Sequence, residues 1–454
     1  MHPLYDIVLA DVKVDVGQMV EQGHDAEVLA AEVEAAAASG SLDELIRLQE
    51  DLWRRPSPTD FPYDEPDDWE AISATFPPPD AHAKLTGGQD DLADRLLGAW
   101  QGRCAGCQLG KPLEGTVWPD KIKTVLQTVG SWPLSDYMNP LGDDVDRSTL
   151  PDCDFFARPA KNAWTRGRFD CVAPDDDIHY SLVSLRTVEE HGAGFTSEQA
   201  ARQIAMLLPF STLWASGKSL FRTYVFGLRP PETARYGNPA RQSLGAQIRC
   251  DPFGWCAPGN PALAARMACR DAVNSQVRNG IYSGVFFAAW LADTLATGDP
   301  VASLDVAAAY VPPRSRFAEM IAFARDLCAR HDDWEQANAE MYRRYDDYTR
   351  RFNHAVPNAA VVIMAILMGG GDFTRTLGIS VMAGLDTDCN GATTGSILGC
   401  ALGARNIPAH WVEPFGDTIR SHVKDMPRVA VTDVARRTHV QALRYGRFAR
   451  PRPR

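Results

Sequence analysis

Most apolar segments of this chain are Ala-rich and long enough for helices, and alternating strand patterns are scarce. Ile178–Glu190, Glu198–Leu208, Ala262–Asn274, Ile281–Ala296, Phe317–Arg330 and Ala359–Met368 all read this way. Nearer the start, Asp25–Ala38 is a strong helix former, and Leu45, Leu48 and Leu52 recur at i, i+3 and i+7 in a second short helix. The pattern predicts an all-α fold.

Two of the predicted helices carry an unusual rib. Gly98, Gly102, Gly106 and Gly110 fall every four residues, and so do Gly391, Gly395, Gly399 and Gly403. Residues four apart share a helix face, and glycine weakens a helix, so each bare strip needs a packing reason. Close approach of another helix supplies it, and the two ribbed helices are natural partners. In a membrane such a strip would suggest helix dimerisation, but Arg95, Gln101, Arg103 and Gln108 exclude that here. No run of about 18 apolar residues appears, so no membrane span is expected.

Composition divides the chain further. Residues 1–53 form an N-terminal helical extension, read as an accessory helical pair, with a lid or dimer element as the sharper alternative. Residues 54–89 hold Pro56, Pro58, Pro62, Pro66 and the run Pro77–Pro79 among many aspartates, which suits a linker or wrapping arm. The main domain spans 90–443, and 444–454 is a basic tail. With 454 residues, 45% of them hydrophobic, the chain can bury a large core. A net charge of −12 argues against general nucleic-acid binding, since no basic field attracts phosphates. Met1–Asp11 lacks a basic region followed by an apolar core, and the ten cysteines are scattered, so a reducing, cytoplasmic location is expected.

Asp175-Asp176-Asp177 follows Pro174 and opens one predicted helix, while Asp386-x-Asp388 opens the second ribbed helix. Either cluster alone reads as helix caps and dipole partners. Two acidic clusters, each opening a helix and one of them on a helix built for close contact, suggest a divalent-metal site. Hard oxygen donors suit Mg²⁺, Mn²⁺ or Ca²⁺ better than Zn²⁺. Glu114, just after the first ribbed helix, is a third acidic point that alone would be a surface charge. Cys104-x-x-Cys107 lacks a second ligand pair and reads as small residues packed beside the rib. No Walker-type loop or GxSxG is present.

At these residues the chain resembles the ADP-ribosylglycohydrolase family, which includes the dinitrogenase-reductase-activating enzyme and mammalian ADP-ribosyl-acceptor hydrolases. The resemblance covers about Asp90 to Val412. It rests on the ribbed helix ending in Glu114-Gly115, on Asp175-Asp176-Asp177-Ile178 opening a helix, and on Leu385-Asp386-Thr387-Asp388 before a small-residue helix. It implies an all-α domain with a pair of Mg²⁺ ions in a central cleft, Mn²⁺ substituting. Asp176, Asp177, Asp386 and Asp388 would be metal ligands. Asp175 stands at a ligating Thr position, and Cys389 replaces the usual Thr or Ser ligand. Glu114, matching an acid near the metals and the scissile bond, and Asp386 would be catalytic. Leu244 interrupts the loop where many members hold the diphosphate, and Gln276 falls where many carry a His.

The implied activity is hydrolysis of an N-ribosyl bond at the anomeric carbon. The altered diphosphate loop favours a ribosylated small molecule, NAD-derived or nucleoside-like, over ADP-ribosyl-arginine on a protein. A non-catalytic ribosyl-binding module and a structural assembly protein are the readings from other classes.

Overall fold

The computed structural model describes residues 4–78, 84–85, 87–349 and 352–449. Pro79 of the proline run and residues 450–454 of the basic tail lie outside the described residues. The chain is all-α. Among the described residues the strands are β1 (Thr418–Arg420) and β2 (Arg428–Ala430), an antiparallel pair with Thr418 opposite Ala430.

Ten helices position the parts discussed below. They are α1 (Tyr5–Glu21), α2 (Ala26–Ala38), α3 (Leu42–Arg54), α4 (Gln89–Gly110) and α5 (Asp176–His191). The rest are α6 (Ala215–Val225), α7 (Asn279–Thr297), α8 (Ala355–Met368), α9 (Thr387–Leu402) and α10 (Val431–Tyr445). Asp175 and Ser41 cap α5 and α3 by accepting backbone N–H groups, as local sequence dictates.

The ribbed helices α4 and α9 pack on each other along their glycines. A Cβ on Gly102 would overlap the Gly395 carbonyl, one on Gly106 the Gly391 carbonyl, and one on Gly98 the Gly399 carbonyl. The overlap is reciprocal, so neither backbone can yield to a side chain on the other. Two positions differ from the expected rib. The helix ends at Leu402, and Gly403 turns the chain at φ +75° against Asp94, a conformation that favours glycine. Gly110 meets the backbone of Thr387 in place of a glycine. Around this pair α7 is buried over nearly its whole length, as its Ile281–Leu295 apolar run requires.

The N-terminal extension holds three helices, not the expected pair. Val12-Lys-Val-Asp-Val16 alternates with strand period and hides α1, yet Val12 is buried while Val14 is exposed. Val12, Met19, Leu29, Val33 and Leu52 form their own small core. Charge joins this unit to the main body. Buried Asp15 pairs with Arg241 and accepts from Gln49 at 3.2 Å. Glu21 lies 3.2 Å from His354, and Glu65 of the proline-rich segment holds Arg316 at 2.6 Å and Asn279 at 3.0 Å. That segment also contains a short helix, Trp69–Ser73, and Leu85 bridges to Phe448. Among the described residues no helix is long and apolar enough to cross a membrane, and all ten cysteines are free.

Candidate metal centre and cleft

Three elements bring the acidic residues together. Asp175 caps α5 and accepts from the Asp177 N–H at 2.9 Å, which sets Asp176 and Asp177 in the first turn. Asp386 precedes α9, with Asp388 and Cys389 in its first turn. Glu114 follows α4 on a turn that leads to Val117. Leu385 donates its N–H to the Val117 carbonyl at 2.8 Å, and the two residues sit at φ +59° and +55°. Non-glycine residues are strained there, and such strain persists only where surroundings enforce it. This bridge ties the Glu114 turn to the Asp386 turn. Asn358 of α8 completes the support, accepting from the Asp386 N–H at 3.2 Å and from Asn390 at 2.8 Å.

Glu114, Asp175, Asp176, Asp177, Asp386, Asp388 and Cys389 therefore meet around one cleft. Three groups have potential ligand atoms within 4.8 Å of one another: Glu114, Asp175 and Asp388; Asp177, Asp388 and Cys389; and Cys107, Asp175 and Asp177. Two cations of the chain already serve this cluster. Fully buried Arg103 of α4 reaches the Asp177 carboxylate at 3.1 Å, Asp251 at 2.7 Å and the Ile248 carbonyl at 2.7 Å. Lys111 pairs with Asp175. They do not satisfy everything: Asp177 Oδ2 and Asp388 Oδ1 are buried with no hydrogen-bond partner.

The electrostatics follow from burial and crowding. Burial raises the carboxyl groups of Asp176 and Asp388 well above the ordinary range, and neighbouring carboxylates raise them further. Burial also raises Asp177, outweighing the pull of Arg103. Asp386 is pushed up to about 7, by burial first and then by Glu114. Glu114 is raised by burial and by Asp175. Asp175 alone is lowered, because the Lys111 ammonium and the Asp177 N–H overcome its burial. Buried, mutually repelling carboxylates with orphaned oxygens are the environment that a divalent cation resolves, so the donor set fits such an ion.

Two cavities meet at the cluster. One of about 270 Å³ has Glu114, Asp176, Asp386, Asp388 and Cys389 on one side and Ser243, Leu244 and Arg249 on the other. The second, of about 610 Å³, shares Glu114, Asp176, Trp214 and Phe352 with it and is lined also by Lys111, Lys161 and His179. His179 Nε2 accepts the His422 N–H at 3.1 Å, and burial pushes its pKa down to about 4, so the ring is neutral. Gln276 organises the wall behind the smaller cavity, donating to Ser216 at 2.6 Å. Trp214, 61% exposed, stands where the cavities join. Sequence reading singled out neither Lys111 nor Phe352. Their long-range partners carry the signal, and no local pattern does. Cys107, read there as packing, is buried beside the rib and also lies within ligand reach of Asp175 and Asp177.

An all-α domain with a cation-fitting carboxylate cleft between helix N-termini is thus the class that fold and site define. Residues 88–442 match the family model described as ADP-ribosylglycohydrolase, and the chain belongs to that family. It is accordingly a hydrolase acting on glycosidic bonds. Among solved structures, a chain from an "ADP-ribosylglycohydrolase-related protein complex" is similar at 18% identity, over 78% of this chain and 99% of that chain, with a TM-score of 0.49. None of the curated proteins matches the sequence. Residues 1–87 lie outside the matched region.

Proposed function

We propose that this protein is a divalent-cation-dependent glycohydrolase that cleaves an N-ribosyl bond at the anomeric carbon. The observation that carries the reading is the pair of orphaned, buried carboxylate oxygens on Asp177 and Asp388, facing a cluster of raised carboxyl groups at the cavity wall. The oxygen donors of Glu114, Asp175 and Asp388 suit Mg²⁺ or Mn²⁺. Bound there, such an ion would supply Lewis acidity and orient sugar hydroxyls.

The chain's own groups do the rest. Departure of the aglycone builds positive charge on the ribose ring, and Asp386 and Asp176 at the cavity wall, which a bound cation would hold ionised, stabilise it through space. Glu114, half-buried and with a raised carboxyl group, stands at the junction of the two cavities and accepts the proton of the attacking water. Leu244 and Arg249 line the smaller cavity.

The substrate class we favour is an ADP-ribosyl or related NAD-derived or nucleoside-like small molecule. Leu244, on the wall of the smaller cavity in the loop read as altered at the diphosphate position, favours such a small molecule over ADP-ribosyl-arginine on a protein. The test is turnover of a panel of N-ribosyl compounds with Mg²⁺ or Mn²⁺, beside Asp386→Ala and Asp388→Ala. We expect turnover that chelation and either substitution abolish. Turnover indifferent to chelation would sink the cation dependence. ADP-ribose binding without any turnover would make the protein a binding module.

A further inference from the structure

The three candidate ligand groups differ in chemistry, and Cys389 sets one apart. Its sulfur lies within 4.8 Å of carboxylate oxygens of Asp177 and Asp388, on the first turn of α9, and lines the smaller cavity. The rib contact with α4 allows α9 no slide, so the sulfur is fixed relative to Asp177. Arg103 holds Asp177 Oδ1 at 3.1 Å and leaves Oδ2 unpartnered, and Asp388 Oδ1 is unpartnered too. Asp177 is fully buried, and Asp388 and Cys389 are 2% and 5% exposed. The group thus combines two orphaned carboxylates with one sulfur, three donors with room for a fourth ligand from the cavity.

We propose that Asp177, Asp388 and Cys389 form a thiolate-containing metal position that takes a sulfur-tolerant divalent ion, of the Zn²⁺ or Co²⁺ type, in preference to Mg²⁺. It lies beside the oxygen-only position of Glu114, Asp175 and Asp388, so the centre is chemically asymmetric. Mg²⁺ demands octahedral oxygen and dehydrates reluctantly, whereas a thiolate selects softer ions. On binding, the Cys389 S–H bond breaks, the sulfur–metal bond forms, and the proton leaves to cavity water. Cys107 is the internal contrast. It is fully buried and lines neither cavity, whereas Cys389 lines the smaller one, so no further ligand reaches this second sulfur, which keeps its proton and packs. The inference rests on the cation-dependent reading above.

Cobalt titration of the full, metal-stripped chain tests it, because thiolate-to-Co²⁺ charge transfer absorbs in the near ultraviolet whether or not a substrate is known. We expect that band in the wild type and in Cys107→Ala, and its loss in Cys389→Ser. Competition should show Cd²⁺ displacing Mg²⁺, with the preference falling about tenfold or more in Cys389→Ser. Cobalt binding seen as a thermal shift but with no thiolate band overturns this inference and leaves the cation-dependent reading standing. A band that survives Cys389→Ser overturns it as well. No response to any divalent ion overturns both.

Discussion

The ribbed pair α4 and α9 and the N-terminal helices α1–α3 join the same body by opposite means. In the pair, the carbonyl of one helix occupies the place where the other would carry a Cβ, at Gly98, Gly102 and Gly106. In the N-terminal unit the apolar side chains cluster among themselves, Asp15 and Glu21 reach across to Arg241 and His354, and Glu65 of the proline-rich segment that follows reaches Arg316. The steric junction admits no substitution and fixes the N-terminus of α9, hence Asp386, Asp388 and Cys389. The charged junction gains little net energy, because desolvation offsets attraction, but it is directional. It clamps Arg241 and His354, whose neighbours Ser243 and Asn353 line the smaller cavity. One junction therefore builds the carboxylate side of the cleft, and the other steadies the opposite wall.

The largest effect should come from breaking the steric junction. Gly102→Val or Gly395→Val forces backbone apart, and we expect a loss of roughly 4 kcal/mol or more. Denaturant unfolding would measure it, and the thermal response to divalent ions should vanish with it. A stable, ion-responsive Gly102→Val would mean that the helices are not locked. Next, Glu65→Ala takes from Arg316, 6% exposed, its nearest carboxylate and leaves it only Glu21 at 3.6 Å, and should destabilise by about 3 kcal/mol. A second change, Arg316→Met, should recover much of that, since the net worth of the pair is small. If it recovers nothing, the charged junction contributes more than direction.

His179 separates burial from pairing. Its pKa falls from 6.5 to about 4 in the fold, so the unfolded chain takes up the proton first as pH drops. The stability that neutral His179 contributes is complete above pH 6.5 and is lost as pH falls toward 4, on the order of 3 kcal/mol in all. Unfolding midpoints across that window should flatten in His179→Gln. An unchanged slope would assign the acid sensitivity elsewhere. The smallest effect is expected at Arg437 and Glu189, 2.6 Å apart and partly exposed between α10 and α5. Arg437→Ala should cost about 1 kcal/mol or less, measured in the same unfolding assay.

Much of this architecture was legible before any coordinates. Glycine at four-residue spacing has one economical explanation, and the structure realises it carbonyl against Cα. The boundaries of α5 and α9 follow from Asp175 and Asp386, residues that favour helix starts. Helix α1 escaped because Val12, Val14 and Val16 alternate as a strand would, and only burial shows that Val14 faces out. Gly403 falls on the spacing of the rib, and spacing alone cannot tell a fourth contact from a helix stop.

What the sequence by itself determined was local in origin: helix periodicity, caps, the bare glycine faces and the supply of acidic groups. Each depends on residues within a turn or two of one another. Only the tertiary structure decided which oxygens are spent and which are free. Lys111 engages Asp175, Arg103 divides Asp177 between a satisfied and an orphaned oxygen, and Cys389 lies within reach of both Asp177 and Asp388. Those outcomes depend on contacts between residues far apart in the chain. The charge of a buried carboxylate is set by what lies within a few ångströms, and sequence spacing carries no record of that distance.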